Sequence, residues 1–228
     1  MKLLGIDTTG QTLSAAVNED GRLLAEIYLD AGKKHSATLM TAIDNVLKMS
    51  ECEIAEIDVF AAAVGPGSFT GIRIGTAACA AMAYAAKKPT AAVNTLDALI
   101  ENAGKTNYTV CAIMDARRGE VYAKAKRADE VSVQECAVPL ITLLDDLLPA
   151  GCTVFVGDAA ERFADIILEH RAESVFLPQQ FTLQRAASVC AVAYRQYLQG
   201  KLLKHDELCP HYLRESQAER LKRVENIK

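Results

Sequence analysis

No stretch of this 228-residue chain is long and apolar enough to cross a bilayer: the longest apolar run, residues 77–86, falls well short of the roughly 20 residues a spanning helix needs. The opening Met1-Lys2 runs directly into Leu3-Leu4-Gly5-Ile6-Asp7. It lacks the apolar segment of about 7–15 residues and the small-residue cleavage site of a secretory leader, so none is expected. The seven cysteines (Cys52, Cys79, Cys111, Cys136, Cys152, Cys190 and Cys209) are scattered, odd in number and never in a Cys-x-x-Cys pair. Several lie inside apolar stretches, so reduced, mostly buried thiols of a cytoplasmic protein are expected. Neither sign of charge dominates: 25 Lys and Arg stand against 29 Asp and Glu, a net charge of −4. That balance attracts phosphates weakly and makes a stand-alone nucleic-acid binder a poor reading. Low-complexity segments and solenoid repeats are also lacking. With half of the residues apolar and 24% charged, the composition is that of an ordinary globular protein and excludes a disordered chain, a collagen-like fibre or a small disulfide scaffold. At roughly 150 residues per domain, the length allows one large domain or two small lobes.

What is present alternates between strand-like and helix-like segments. Residues 3–7 form a short apolar run ending in Asp7. Residues 12–18 and 22–29 flank Glu19-Asp20-Gly21, and Asp-Gly between two such runs marks a tight hairpin. Over residues 35–49, Leu39, Met40, Ile43, Val46 and Leu47 recur at the spacing of an amphipathic helix. Residues 59–64 read as a buried strand. Gly65-Pro66-Gly67-Ser68 breaks it, and a long helix is expected over 69–88. A strand at 90–93 and a short helix at 96–103 close the first half. After the polar Gly104-Lys105-Thr106-Asn107, residues 110–114 lead into Asp115 and a turn holding Gly119, and then Val121, Ala123 and Ala125 alternate with polar neighbours. Both halves therefore open with strand, acid, turn and strand. This predicts two lobes of related topology with Asp7 and Asp115 facing one cleft. A strand at 154–156, a helix at 160–169, a strand at 175–177 and a helix at 183–199 continue the α/β alternation. The expected division is an N-terminal lobe of residues 1–104, joined by a charged helical tail at 212–228, and a C-terminal lobe of residues 105–211.

Three features are candidates for chemistry. Asp7, Thr8 and Thr9 open a turn with Gly10, Gln11 and Thr12, where amides and hydroxyls around a carboxylate suit phosphate oxygens and a water-bridged Mg²⁺. The same residues serve equally to end a strand and satisfy a hairpin backbone. The partner turn, Asp115-Ala116-Arg117-Arg118-Gly119, adds two arginines suited to an anion. The second feature is Gly65-Pro66-Gly67-Ser68-Phe69-Thr70-Gly71-Ile72-Arg73-Ile74-Gly75, a glycine-rich loop opening a helix, whose free N–H groups favour an anion. No lysine follows the glycines as in a Walker A loop, and the glycines equally permit close packing. The third is the helix itself. From Thr70 to Ala86 its only charge is Arg73, and an all-apolar helix must be covered on every side. Its own sheet covers one face; a second lobe or another protein must cover the other. Ala77, Ala78, Ala80, Ala81 and Ala85 let a partner helix approach at the short end of the roughly 8–10 Å range.

Other patterns are weaker. No histidine has a second histidine four residues on, since Leu39 follows His35 at that spacing. His205, Cys209 and His211 crowd around Pro210 at no zinc spacing, so no metal site is expected. Nothing resembles a Gly-x-Ser-x-Gly elbow. In the tail, Arg214, Arg220, Lys222, Arg223 and Lys228 outnumber Glu215, Glu219 and Glu225, the pattern of a solvated helix face.

Three motifs occur together in order: Leu3-Leu4-Gly5-Ile6-Asp7-Thr8-Thr9, the eleven-residue glycine stretch, and Asp115-Ala116-Arg117-Arg118-Gly119-Glu120-Val121-Tyr122. With Val156-Gly157-Asp158 and the closing Tyr212-Leu213-Arg214, the chain resembles, over essentially its whole length, the bacterial TsaB (YeaZ) family of tRNA threonylcarbamoyladenosine biosynthesis. The resemblance implies an α/β, two-lobed actin/Hsp70/sugar-kinase-like (ASKHA) fold with a mixed sheet and flanking helices in each lobe. It implies a non-catalytic partner of a TsaD-like catalytic subunit, joined by a TsaE-like ATPase, with tRNA contacted through the complex. The modified adenosine lies next to the anticodon of tRNAs reading codons that begin with A. The implied interface comprises His35, Leu39, Met40, Ile43, Val46 and Leu47 on the first helix and Ile74, Ala77, Ala78, Ala81 and Ala85 on the second, which would form a four-helix seam with the partner or a homodimer in its absence. The catalytic paralogue holds its metal with two histidines four residues apart; the His35/Leu39 spacing departs from this and implies a scaffold without that metal. Asp7, Thr8, Thr9, Asp115, Arg117, Arg118, Gly157 and Asp158 are the implied remnant of a nucleotide site. No cofactor of its own is implied, with ATP or ADP and Mg entering through the complex. The alternative is a stand-alone Mg-dependent nucleotide-binding phosphotransferase or ATPase built on Asp7 and Asp115. A metallopeptidase, suggested by older labels for the superfamily, lacks its ligands.

Overall fold

The computed structural model describes residues 1–32, 34–128 and 130–214. Ten strands form two five-stranded sheets. The first holds β1 (Lys2–Asp7), β2 (Leu13–Glu19), β3 (Arg22–Leu29), β4 (Val59–Gly65) and β5 (Thr90–Asn94), in the order β3-β2-β1-β4-β5. The second holds β6 (Thr109–Arg117), β7 (Glu120–Arg127), β8 (Glu130–Pro139), β9 (Thr153–Val156) and β10 (Val175–Phe176), in the order β10-β9-β6-β7-β8. Read from the other edge, that second order is the first one repeated. In each sheet the first three strands pair antiparallel through hairpins, and the last two add in parallel. The parallel additions require crossovers, which the helices supply.

The first sheet buries both faces. Helices α1 (His35–Met49) and α2 (Phe69–Ala86) cover one, where Leu39, Ile43, Val46, Cys79 and Met82 meet Leu4, Ile6, Phe60 and Ala62. The other face presents Leu3, Val59, Ala61 and Val93, because successive strand residues point to opposite sides. It is covered by α8 (Ala186–Leu198) and α3 (Thr95–Glu101), through Ala186, Val189, Cys190, Ala193 and Ala98. Helix α3 also turns Leu96 and Leu99 into the second lobe, against Val110, Ala112 and Met114. The far face of the second sheet packs on α4 (Leu140–Thr142) with its π-helical continuation Leu143–Leu147, on α5 (Asp158–Arg162) and on α6 (Ala164–His170). The short α7 (Gln179–Thr182) leads back to α8.

Two expectations change here. The lobe boundary at 105–211 is too long: α8 belongs to the first lobe, since its alanines and Val189 complete the core under β1 and β4. The chain then stays with that lobe, with Leu203 bridging Thr90 and the His211 N–H donating to Val64 O at 2.7 Å. In the expected tail helix, residues 212–214 are not helical and residues 215–228 lie outside the described residues. β8 and the helical turn after it are elements that the sequence pattern did not predict.

Candidate functional site: the interlobe cleft and the α2 face

The glycine-rich stretch is tied to the first hairpin by its own polar groups. Ser68 caps α2, its side chain accepting from the Gly71 N–H at 3.2 Å, and its own N–H donates to Thr9 O at 2.7 Å. Thr8 Oγ1 donates to Gly71 O at 2.7 Å. The approach is so close that a Cβ on Gly71 would lie 1.9 Å from Thr8 O, which explains glycine there.

These contacts remake the expected phosphate cradle. Asp7 and Thr8 are buried and do not line the cleft. Asp7 Oδ1 accepts from the Thr9 N–H at 2.9 Å and from Thr9 Oγ1 at 2.7 Å, so both hydroxyls of the motif are spent inside the lobe. Burial raises the Asp7 pKa to about 6, opposed by the Thr9 hydrogen bonds and by His35. The Asp7 half of the expected facing pair is thus corrected: only Asp115 reaches the cleft.

The cleft itself, about 690 Å³, lies between the first hairpin and the loop at Gly67–Ser68 on one wall and the β6–β7 hairpin and α5 on the other. Asp115, Arg117, Arg118 and Asp158 line it, joined by Arg162 and Arg214. Gly157 stands behind this wall, where its φ of 110° and the Ile113 carbonyl, 2.0 Å from where a Cβ would sit, leave no room for a side chain. Asp115 Oδ1 accepts from the Arg117 N–H at 2.8 Å, Oδ2 accepts from Arg162, and the Arg117 guanidinium stands 3.6 Å from Oδ2. Burial also raises the Asp158 pKa, and its Oδ1 is shielded from the surface. Among the described residues no group of three His, Cys, Asp or Glu side chains gathers as a metal site. Asp7 and Asp115 therefore do not fit a magnesium ion held between them: Asp7 is sealed away, and Asp115 is engaged by guanidinium and amide donors. Arg162 was missed in the sequence, although its place four residues after Asp158 on one helix puts it on the same side.

The expected partner face divides. Leu39, Ile43, Val46 and Leu47 point into the protein's own core, a correction that follows from the sheet lying directly beneath α1. Of the α1 set, Met40 is 56% exposed, and His35 is half-buried with Nε2 3.0 Å from Gly10 O. On α2, Gly71, Ile72, Gly75, Thr76, Cys79, Met82 and Ala83 face inward. Ala77, Ala81 and Ala85 are exposed, and Ile74 and Ala78 are half-buried. Arg73 Nε donates to Tyr212 Oη at 2.7 Å, and Tyr212 stacks on Phe69 at 4.8 Å.

Twin sheets of one topology around a cleft define a protein of the actin/Hsp70/sugar-kinase-like class, here with Asp7 buried and Asp115 bound by its neighbouring arginines. The solved structure of YeaZ from Pseudomonas aeruginosa shares the fold, with a TM-score of 0.78 and 22% identity over 93% of this chain and 99% of that one. A curated relative from Escherichia coli, tRNA threonylcarbamoyladenosine biosynthesis protein TsaB, is 28% identical over 96% of each chain. The protein of the same description from Bacillus subtilis is 36% identical over 54% of this chain and 53% of its own. The family model described as "TsaD: tRNA N6-adenosine threonylcarbamoyltransferase" matches residues 29–222. The chain belongs to this family, among its TsaB (YeaZ) members.

Proposed function

We propose that the chain is the non-catalytic accessory subunit of a cytoplasmic tRNA threonylcarbamoyladenosine transferase complex. It binds and activates a TsaD-like catalytic subunit that modifies the adenosine next to the anticodon. The observation that carries this reading is the outer face of α2, where Ala77, Ala81 and Ala85 lie exposed in a row beside half-buried Ile74 and Ala78. Small side chains in such a row let a second helix pack at the short end of the roughly 8–10 Å range, and an apolar strip left in water marks an interaction site. Exposed Met40 on α1 extends the surface. The family membership supports the pathway, and the burial of Asp7 and the arginine contacts of Asp115 speak against independent Mg-dependent phosphotransfer built on that pair. A TsaE-like ATPase brings ATP and Mg to the complex, and tRNA is engaged through the assembly.

The test is reconstitution of tRNA modification from purified chain, catalytic subunit, ATPase and tRNA, omitting each in turn. The chain alone is expected to transfer nothing, and its omission is expected to silence the others. Ala81→Arg is expected to abolish co-purification with the catalytic subunit. Modification by the isolated chain, or full activity without it, would refute the assignment. A homodimer through the same face would appear by size-exclusion chromatography without partner and be lost in the same variant.

A further inference from the structure

Helix α2 ends at a second depression, of about 600 Å³, walled by Tyr84, Ala85, Lys87, Lys88, Leu203 and Lys204. It adjoins the exposed alanine row, because Ala85 belongs to both. The helix dipole accounts for Lys87 and Lys88, which follow the last turn of α2 and meet its partial negative charge. It does not account for Lys204, which arrives from the segment after α8. Leu203 and Thr90 exchange N–H···O bonds of 2.8 Å, and the Thr90 hydroxyl donates to the Lys204 carbonyl at 3.2 Å, so Lys204 is fixed beside the helix end. Lys88 is neutralised by Asp58 at 3.1 Å. Lys87 and Lys204 are exposed, and neither has an ion-pair partner among the described residues. Only one acid, Asp206, stands on the wall among the described residues. Tyr84, 68% exposed and edge-on to His205 at 4.9 Å, adds an apolar side.

The helix carries charge of the same sign at its other end. Arg73 stands four residues before Ala77, so Arg73, Ala77, Ala81 and Ala85 share one face, and no acid lies anywhere on α2. A second copy of this chain packed α2 to α2 on that row meets like charge in either direction. Antiparallel, the lysines of one copy approach Arg73 of the other; parallel, they approach each other. We propose that the depression is a seat for Asp or Glu side chains at the end of the helix that packs on α2, and that it selects an acidic partner over a second copy. This rests on the accessory-subunit reading, in which the packing helix belongs to the catalytic subunit. A carboxylate seated there meets Lys87 and Lys204, with Tyr84 and Ala85 beside its methylene stem. The alanine row offers the same small surface to any helix. The lysines supply the discrimination, because specificity is a difference between affinities and repulsion of the wrong partner counts toward it.

The experiment measures two associations of the full chain: with the catalytic subunit by isothermal calorimetry, and with itself by sedimentation equilibrium. The parent is compared with Lys87→Ala/Lys204→Ala and with Lys87→Glu/Lys204→Glu. Charge reversal is expected to weaken binding of the catalytic subunit by about tenfold or more, and the neutral variant by less. Raising NaCl from about 50 to 500 mM is expected to weaken the parent complex more than that of the neutral variant. Self-association is expected to move the other way, tightening about threefold or more in the neutral variant as the repulsion is relieved. Both lysines are exposed, so thermal melting should show all three chains equally folded. Equal affinity for the catalytic subunit in all three chains, or no tighter self-association in the neutral variant, would overturn the proposal. Ala81→Arg distinguishes this failure from that of the reading beneath it. If Ala81→Arg binds the subunit as the parent does, the α2 face is not the interface and the proposal falls with it. If Ala81→Arg loses binding while both lysine variants keep it, the face stands and only the acidic seat is refuted.

Discussion

A carboxylate at the end of a buried strand must lean either outward to a ligand or inward to its own lobe, and Asp7 leans inward. Its Oδ1 takes both donors of Thr9, and burial lifts its pKa to about 6, against the ordinary 3.8. The folded protein therefore holds this proton more tightly than the unfolded chain does. The stabilisation is fully present below about pH 4 and is lost as pH rises through about 6; a displacement of that size is worth about 3 kcal/mol. Asp7→Asn is expected to flatten this part of the profile. Measured by urea unfolding, the loss of stability between about pH 4 and 7 should be smaller in the variant than in the parent. Parallel profiles would show that Asp7 titrates like an exposed acid. The residue types of Asp7-Thr8-Thr9 were legible as a polar turn, but their direction was not. A hydroxyl facing phosphate and one bonded to Gly71 O or Asp7 are spelled alike, and only the approach of α2 decides between them. Asp115, Arg117 and Arg118 were read as cleft residues and line it.

Helix α2 buries one face and exposes the other, so neighbouring residues should respond to mutation in opposite ways. Met82 is buried against the first sheet, and Met82→Ala is expected to cost about 2–5 kcal/mol of stability. Ala81, one residue earlier, is exposed, and Ala81→Arg should change stability by no more than about 0.5 kcal/mol while blocking the partner. Denaturant titration of both variants checks the contrast; a large loss from Ala81→Arg would mean that this face is part of the monomer's own packing. Elements with one strong period were legible: α1 runs from His35 to Met49 as its apolar stripe predicts, and Asp20 and Gly21 take the positive φ angles of the expected hairpin. The same stripe misled as to site, because a 3.6-residue period says that a face is covered without saying by what. For Leu39, Ile43, Val46 and Leu47 the cover is the protein's own sheet. β8 escaped because its alternation breaks at Gln134-Glu135 and gives way to Cys136-Ala137-Val138, in a strand at a half-exposed sheet edge. The expected helix at 160–169 breaks at Phe163 into α5 and α6, a division its continuous apolar pattern hid.

The two lobes act as one body only if something crosses between them, and three connections do. Helix α3 is wedged between the sheets and takes ion pairs from Lys124 and Lys126 through Asp97. Helix α8, after the second lobe is complete, returns to close the first. Beyond it the chain passes along the cleft edge: His211 is bonded to Val64, Tyr212 stacks on Phe69, and Arg214 donates to Ala116 O at 2.8 Å in the second lobe. Glu135 on β8 gathers two of these threads, its Oε1 accepting from Asn94 Nδ2 at 2.7 Å and its Oε2 lying 2.9 Å from His211 Nε2. Asn94 itself caps α3 by accepting from the Leu96 and Asp97 N–H groups. Removing that carboxylate loosens the lobe junction without touching either core. Glu135→Ala is therefore expected to cost about 1–2 kcal/mol, the scale of hydrogen bonds to a charged group in a partly exposed place. Hydrogen exchange should locate the effect: the amides of His211 and of the first turn of α3 should exchange faster, while those of β1 and β6 keep their protection at low denaturant. Because Tyr212 also holds Arg73 on α2, the same variant should weaken docking of the partner, measured as a lower co-purified yield. Unchanged exchange at His211 would mean that Glu135 does not tie this segment to the second lobe, and that contact would then have no part in fixing the angle at which α2 is presented.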